Sequence, residues 1–131
     1  ELEILRGGSK RRELYSLEPV MDRETVLKIQ SFIRERVITS EPILDYMMRL
    51  IEETRRSEYL TAGLSTRGSL ALLHTSRAHA FMEGRDYVIP EDVKAVAPYV
   101  IPHRVFFRDE YASADKKEIV RSMLEKIPVP A

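Results

Sequence analysis

Arg67 lies in Gly63-Leu64-Ser65-Thr66-Arg67-Gly68, just before an apolar and small-residue stretch that runs to Met82. Ser65 is an N-cap residue type, so the pattern predicts a helix over about 66–83 with Arg67 in its first turn. Unpaired backbone N–H groups and the positive end of the helix dipole favour an anion at such a start. A guanidinium there adds a planar charged fork suited to phosphate, and the Ser65 and Thr66 hydroxyls stand in the same turn. The plain alternative is a solvated or salt-bridged surface arginine, which position alone favours.

Other residue groups carry less chemistry. In Glu83-Gly84-Arg85-Asp86-Tyr87-Val88-Ile89-Pro90-Glu91-Asp92-Val93, a glycine stops one helix, a short extended pair follows and Pro-Glu-Asp opens the next helix. Arg85 and Asp86 are read as bracing the turn beside Gly84. Glu91 and Asp92, in a first turn, complement the helix dipole by some tenths of a kcal/mol. His74 and His79, five residues apart, point about 140° from each other on a helix and cannot share a metal as an i,i+4 pair could. No metal site is predicted. The chain also lacks any Gly-x-x-x-x-Gly-Lys-Ser/Thr loop, has 5 glycines in all, and shows no apolar strand ending in paired acids that would hold magnesium. It therefore has a residue suited to sensing a nucleotide and no means of binding one alone.

Together, the Arg67 turn and the Gly84 to Val93 segment resemble the lid domain of a MoxR-family AAA+ ATPase. The likeness runs from Glu1 to Ile127-Pro128-Val129-Pro130 and is densest between Leu60 and Arg104. It implies that Arg67 is the second sensor, reaching the terminal phosphate of ATP held by a core domain missing from this chain. The family pattern commonly has proline before that arginine and alanine after it, where this chain has Thr66 and Gly68. His103-Arg104 resembles a pair near the end of the family's fourth helix, which implies a packing or interdomain role; with Phe106, Phe107 and Arg108 it could also touch a neighbouring subunit. The resemblance further implies ATP and Mg2+ in the full-length protein, a hexameric ring, and chaperone-like remodelling or metal-cofactor insertion, often with a von Willebrand factor A domain partner. No catalytic residue is assigned to this segment, and the fragment alone is expected to be inactive.

The elements that must position Arg67 read as helical throughout. The resemblance and the pattern give an all-α lid bundle of four main helices plus an accessory one. Residues 1–21 are expected to be the end of a core and a linker, with Gly7 to Arg12 as the hinge, and 22–131 the lid. Asp22 can cap a helix with Val26, Ile29, Ile33 and Val37 on one face, and Ser40 with Pro42 opens another carrying Ile43, Leu44, Met47, Leu50 and Ile51. The helix after Ser65 is expected to be central and largely buried. A fourth starts at Pro90, bent or interrupted by Pro98 and Pro102, and a fifth spans about 115–127. Extended structure is confined to short pieces around Val37-Ile38 and Tyr87-Val88, which could pair as a two-residue ladder.

At 131 residues with 44% apolar content, the chain is one domain long and can bury a modest core. The 21 basic and 21 acidic residues cancel, so no overall charge drives it onto nucleic acid or a membrane. Without cysteine it has no disulfide or thiolate site, and without an eighteen-residue apolar run or a signal-like start it is expected in the cytoplasm. Two other classes stay open: a helical nucleic-acid-binding or histone-fold-like module, against which neutral charge, the absence of a basic stripe and the Gly63 and Ser65 break all count, and an interaction scaffold without nucleotide chemistry.

Overall fold

Asp22 accepts the Thr25 N–H at 2.7 Å and so caps helix α1 (Arg23–Arg36) as expected. The computed structural model describes Leu2 and residues 15–130; the expected hinge at 7–12 and the element end at 1–5, Leu2 apart, lie outside the described residues. The chain divides into two compact units, 1–30 and 31–131. In the first, the Asp22 carboxyl is held below its usual range by the Thr25 bonds. The apolar face expected on α1 is not a buried one: no residue of the helix is buried and Val26 is 37% exposed. Only its later part is covered: Ile33 is half-buried and packs against the core of the second unit. Val37, just past the helix end, is buried in the second unit.

The second unit contains α2 (Glu41–Arg56), β1 (Leu60–Ala62), α3 (Thr66–Met82), α4 (Pro90–Val100), β2 (Phe106–Phe107), a 3₁₀ turn (Asp109–Tyr111) and α5 (Lys116–Glu125). On α2, Ile43, Tyr46, Met47, Leu50, Ile51 and Thr54 are buried, a stripe at i, i+3, i+4, i+7, i+8 and i+11 that matches the helical period. Asp115 starts α5 by accepting Lys117 N–H at 2.9 Å, and Ile119, Val120, Met123 and Leu124 close the core from that side. Helix α4 continues through Pro98, which lies near its end, and stops before Pro102. A proline in the last turn costs the bond to the residue four before it, whereas the next one finds the helix already over.

Helix α3 departs from the expectation of burial on most sides. Its buried residues are Gly68, Leu72, Ser76 and Ala80, a single strip at i,i+4 spacing, while Leu70 is 51% and Met82 82% exposed. Three of those four residues are small, which lets α4, the helix that α3 packs against most extensively, approach closely. The other alanines of α3, Ala71 and Ala78, are only half-buried and also favour the helix by propensity. The helix ends in a Schellman arrangement: Gly84 N–H donates to Phe81 O and Arg85 N–H to Ala80 O, each at 2.9 Å. Gly84 has φ +75°, with open space where a Cβ would stand, so it is required for its backbone angle and not for room.

Extended structure is also placed differently. Ile38 and Tyr87 do form the expected contact, a single parallel bridge. A second pairing was not expected: β1 and β2 run antiparallel, with Leu60 opposite Phe107 and Ala62 opposite Phe106. Strands of two and three residues are too short to show a period in the sequence.

Gly63 and Gly68 flank the turn that carries Ser65 and Leu64. A Cβ on Gly63 would stand 2.6 Å from the Arg55 Cα and N and 2.7 Å from the Thr54 carbonyl carbon, all backbone of α2. One on Gly68 would meet the Leu64 side chain, at 2.5 Å from Cδ1. Gly63→Ala is expected to cost about 2 kcal/mol or more, because helix backbone must move. Gly68→Ala should cost under about 1 kcal/mol, since a leucine tip can turn aside and the helix gains propensity. Denaturant midpoints of the two variants check the order; equal losses would show that Gly63 does not touch α2.

Candidate functional site

The first turn of α3 is built from the loop before it. Leu64 is 1% exposed and anchors the turn in the core; its N–H donates to Thr54 Oγ1 at 3.0 Å, and its C=O accepts Arg55 Nε–H at 3.2 Å. Ser65 then caps the helix by accepting the Gly68 N–H at 3.2 Å. No acidic residue occupies the first turn. Thr66 and Arg67 are exposed, and among the described residues the Arg67 guanidinium makes no hydrogen bond or ion pair. An arginine one turn from a helix start, without an acid to neutralise it, is free to meet an anion from outside.

His103 and Arg104 follow α4 in a tight turn closed by Arg104 N–H to Ile101 O at 2.9 Å. Both are exposed and, among the described residues, neither side chain has a hydrogen bond or ion pair. The Arg104 Cβ lies 3.7 Å from the place a Cβ on Gly68 would take, so the structure sets Arg104 beside the turn that bears Arg67. His103 and Arg104 share a shallow groove of about 370 Å3 with Ala71, Thr75, Tyr99 and Val100. Ala71 is one helical turn from Arg67, which places the arginine at the head of the groove's α3 wall.

At the other end of α3 the sequence reading missed a buried polar centre. Asp92 is fully buried and accepts four bonds: Arg85 Nη1–H to Oδ2 and Nη2–H to Oδ1, both at 2.7 Å, Ile89 N–H to Oδ2 at 2.8 Å, and His79 Nδ1 to Oδ1 at 2.7 Å. An ionised carboxylate only accepts, so the proton of the last bond sits on Nδ1. Burial pushes the Asp92 carboxyl upward; the bonds from Arg85, Ile89 and His79, with the guanidinium charge, outweigh burial and hold it below the usual range. The bond to Asp92 likewise raises Arg85. Arg85 thus does brace a turn, but through Asp92 rather than Asp86, and Asp92 does far more than complement a dipole. The visible signal was Asp92 three residues after the N-cap Ile89; His79, thirteen residues away, gave none. Arg77, which reads as a surface arginine, donates from Nε to Thr39 Oγ1 at 3.0 Å and is engaged.

These features are those of a known domain. Residues 52–123 match the family model of the AAA lid domain. An uncharacterised protein of Bacillus subtilis, YeaC, is 32% identical over 132 residues, taking in 99% of this chain and 41% of its own length. Chaperone MoxR1 of Mycobacterium tuberculosis is 31% identical over 122 residues, 85% of this chain and 32% of its own. The crystal structure of a candidate ATPase from Cytophaga hutchinsonii matches 99% of this chain and 42% of its own, with a TM-score of 0.79 and 29% identity. The chain belongs to the AAA lid domain family and is the lid of a MoxR-like ATPase. It spans about a third to two fifths of the length of the relatives it matches. Among the described residues, no helix is long and apolar enough to cross a membrane.

Because the folded-state value of Asp92 is depressed, its contribution to stability is present above the unfolded value, about pH 4, and is lost as pH falls through the folded one. Asp92→Asn is expected to lower stability near neutral pH by about 3 kcal/mol and to flatten the loss below about pH 4. Urea melts at about pH 7 and about pH 3 test this; parallel pH curves for the variant and the parent protein would rule Asp92 out as the source.

Proposed function

We propose that this lid senses ATP through Arg67 and couples nucleotide state to chaperone-like remodelling or metal-cofactor insertion by a ring ATPase. The observation that carries the reading is the exposed Arg67 guanidinium, without a partner among the described residues, in an acid-free first turn of α3. ATP with Mg2+, held by a core domain that precedes this segment, would supply the terminal phosphate and the bond to be cleaved. The residues here fit that group in one respect: they offer a cation and helix-start N–H groups to a phosphate. Ser65 and Thr66 stand in the same turn, with the Ser65 hydroxyl already accepting the cap bond and retaining a proton to donate. A lid responds to nucleotide only as far as it contacts one state better than another. Arg67 gains a charge-assisted bond when a terminal phosphate is present and returns to solvent when it is not.

The reading extends to the whole protein. Residues 1–21 would be the end of the core and the linker, 22–131 the lid, and His103 with Arg104 a contact to the core or to a neighbouring subunit of a hexamer. A von Willebrand factor A domain protein is the expected partner type, and the cytoplasm the expected location. The name of the chaperone relative supports the remodelling branch.

The isolated chain is expected to hydrolyse no ATP and to bind it no better than at about millimolar level, roughly 4 kcal/mol. Titration calorimetry with a micromolar result would show a complete site within this segment. In the full-length protein, Arg67→Ala should lower hydrolysis about tenfold or more with the fold intact, as loss of a charge-stabilising arginine does in other phosphoryl transfers. Arg36→Ala, at an exposed arginine on α1, gives the same loss of charge without the contact. Hydrolysis by Arg67→Ala at the parental rate, in correctly assembled rings, would leave Arg67 an ordinary surface residue.

A further inference from the structure

We infer that Thr54, with Arg55 beside it, is a positioning residue for Arg67; this rests on the sensing role given to that arginine above. Thr54 is 0% exposed and its hydroxyl is doubly used, donating to Ile51 O at 2.6 Å and accepting the Leu64 N–H at 3.0 Å. Arg55 takes the other polar group of the same peptide residue, the Leu64 C=O, at 3.2 Å. Two consecutive residues of α2 therefore hold both backbone groups of Leu64. Gly63 presses on the Thr54–Arg55 backbone itself, so the chain cannot slide outward without opening a gap or inward without a clash. The Leu64 side chain is buried and tucks against Gly68 on the first turn of α3. Ser65 and Arg67 come one and three residues later, which leaves almost no slack between α2 and the guanidinium.

A buried threonine has lower helix propensity than most of its neighbours on a face otherwise made of Ile43, Tyr46, Met47, Leu50 and Ile51. An aliphatic residue there would leave the buried Leu64 N–H without its acceptor, so the hydroxyl satisfies that donor and in doing so ties α2 to the turn. The same bond fixes the direction in which α3 leaves α2, and a displacement of about 1 Å at a reacting centre can cost about a hundredfold.

The test is steady-state ATP hydrolysis by the full-length protein. Thr54→Val removes the hydroxyl at constant shape and is expected to lower kcat about fivefold with less change in KM, while Thr54→Ser restores the rate to within about twofold. In an Arg67→Ala background, Thr54→Val should change the rate by less than about 1.5-fold, because its effect runs through the missing side chain. Arg55→Met, at an exposed position, should lower kcat about twofold and carries the same comparison if Thr54→Val does not fold. Full additivity with Arg67→Ala, or a Thr54→Ser rate as low as that of Thr54→Val, overturns the positioning role. So does a parental rate in both Thr54→Val and Arg55→Met when Arg67→Ala is impaired, and that result spares the sensing role. A parental rate in Arg67→Ala removes the sensing role and the positioning role with it.

Discussion

The Asp92 carboxylate is the constraint on which the rest of the second unit depends. A buried charge without partners would cost several kcal/mol, so the chain must bring it donors, and it brings four from three segments. His79 comes from the last turns of α3, Arg85 from the residue after the Gly84 reversal, and Ile89 from the start of α4. Satisfying one side chain thereby sets where α3 ends, how sharply the chain turns and at what angle α4 begins. Removing any donor exposes the charge to an apolar core formed by Val93, Ala97, Leu72 and Val120.

Helix α3 is consequently held at both ends by polar groups with specific partners. At the far end Asp92 and Arg85 take the last turn; at the near end Thr54 and Arg55 take Leu64. Between them the strip of Gly68, Leu72, Ser76 and Ala80 lies close against α4. Any pivot of α3 on its own would break these bonds and open its packing against α4. In the proposed sensing role, a contact at Arg67 would act on the whole bundle, since packed cores shift between arrangements rather than deform gradually.

Much of this was legible in the sequence, for identifiable reasons. Ser65, Ser40 and Asp22 are N-cap types followed by apolar residues at helical spacing; all three precede helices, Ser65 and Asp22 through the bonds that their position implies and Ser40 without a side-chain cap bond. Gly84 before an extended pair marked the end of α3, and it adopts the one positive φ among the described residues outside the range of ordinary side chains. What was not legible depended on distance along the chain. The Asp92 centre needs His79 thirteen residues earlier, and the β1–β2 pair joins residues more than forty apart, neither of which leaves a periodic trace. The burial of α3 was overread because alanine marks both buried helix and strong helix former, and only the partner's position separates the two. For the candidate site, the position of Arg67 followed from the helix start alone. The residues that aim it, Thr54 and Arg55, looked like the ordinary end of an amphipathic helix.

The unpaired state of Arg67 bears on how such a lid could respond at all. An arginine already bound to a carboxylate of its own domain would have to give up that pair before meeting a phosphate, and the difference between the two states would shrink toward zero. The acid-free first turn removes that competition within the helix itself, and Arg104, whose Cβ lies beside Gly68 on the adjoining segment, is of the same sign. Like charges side by side are mildly unfavourable in solvent and become favourable together when an anion lies between them. The arrangement thus places its cost in the state without anion and its gain in the state with it. In the proposed role, α3, packed on α4 and tied to α2 through Leu64, would carry that difference to both instead of losing it to the ordering of a loop.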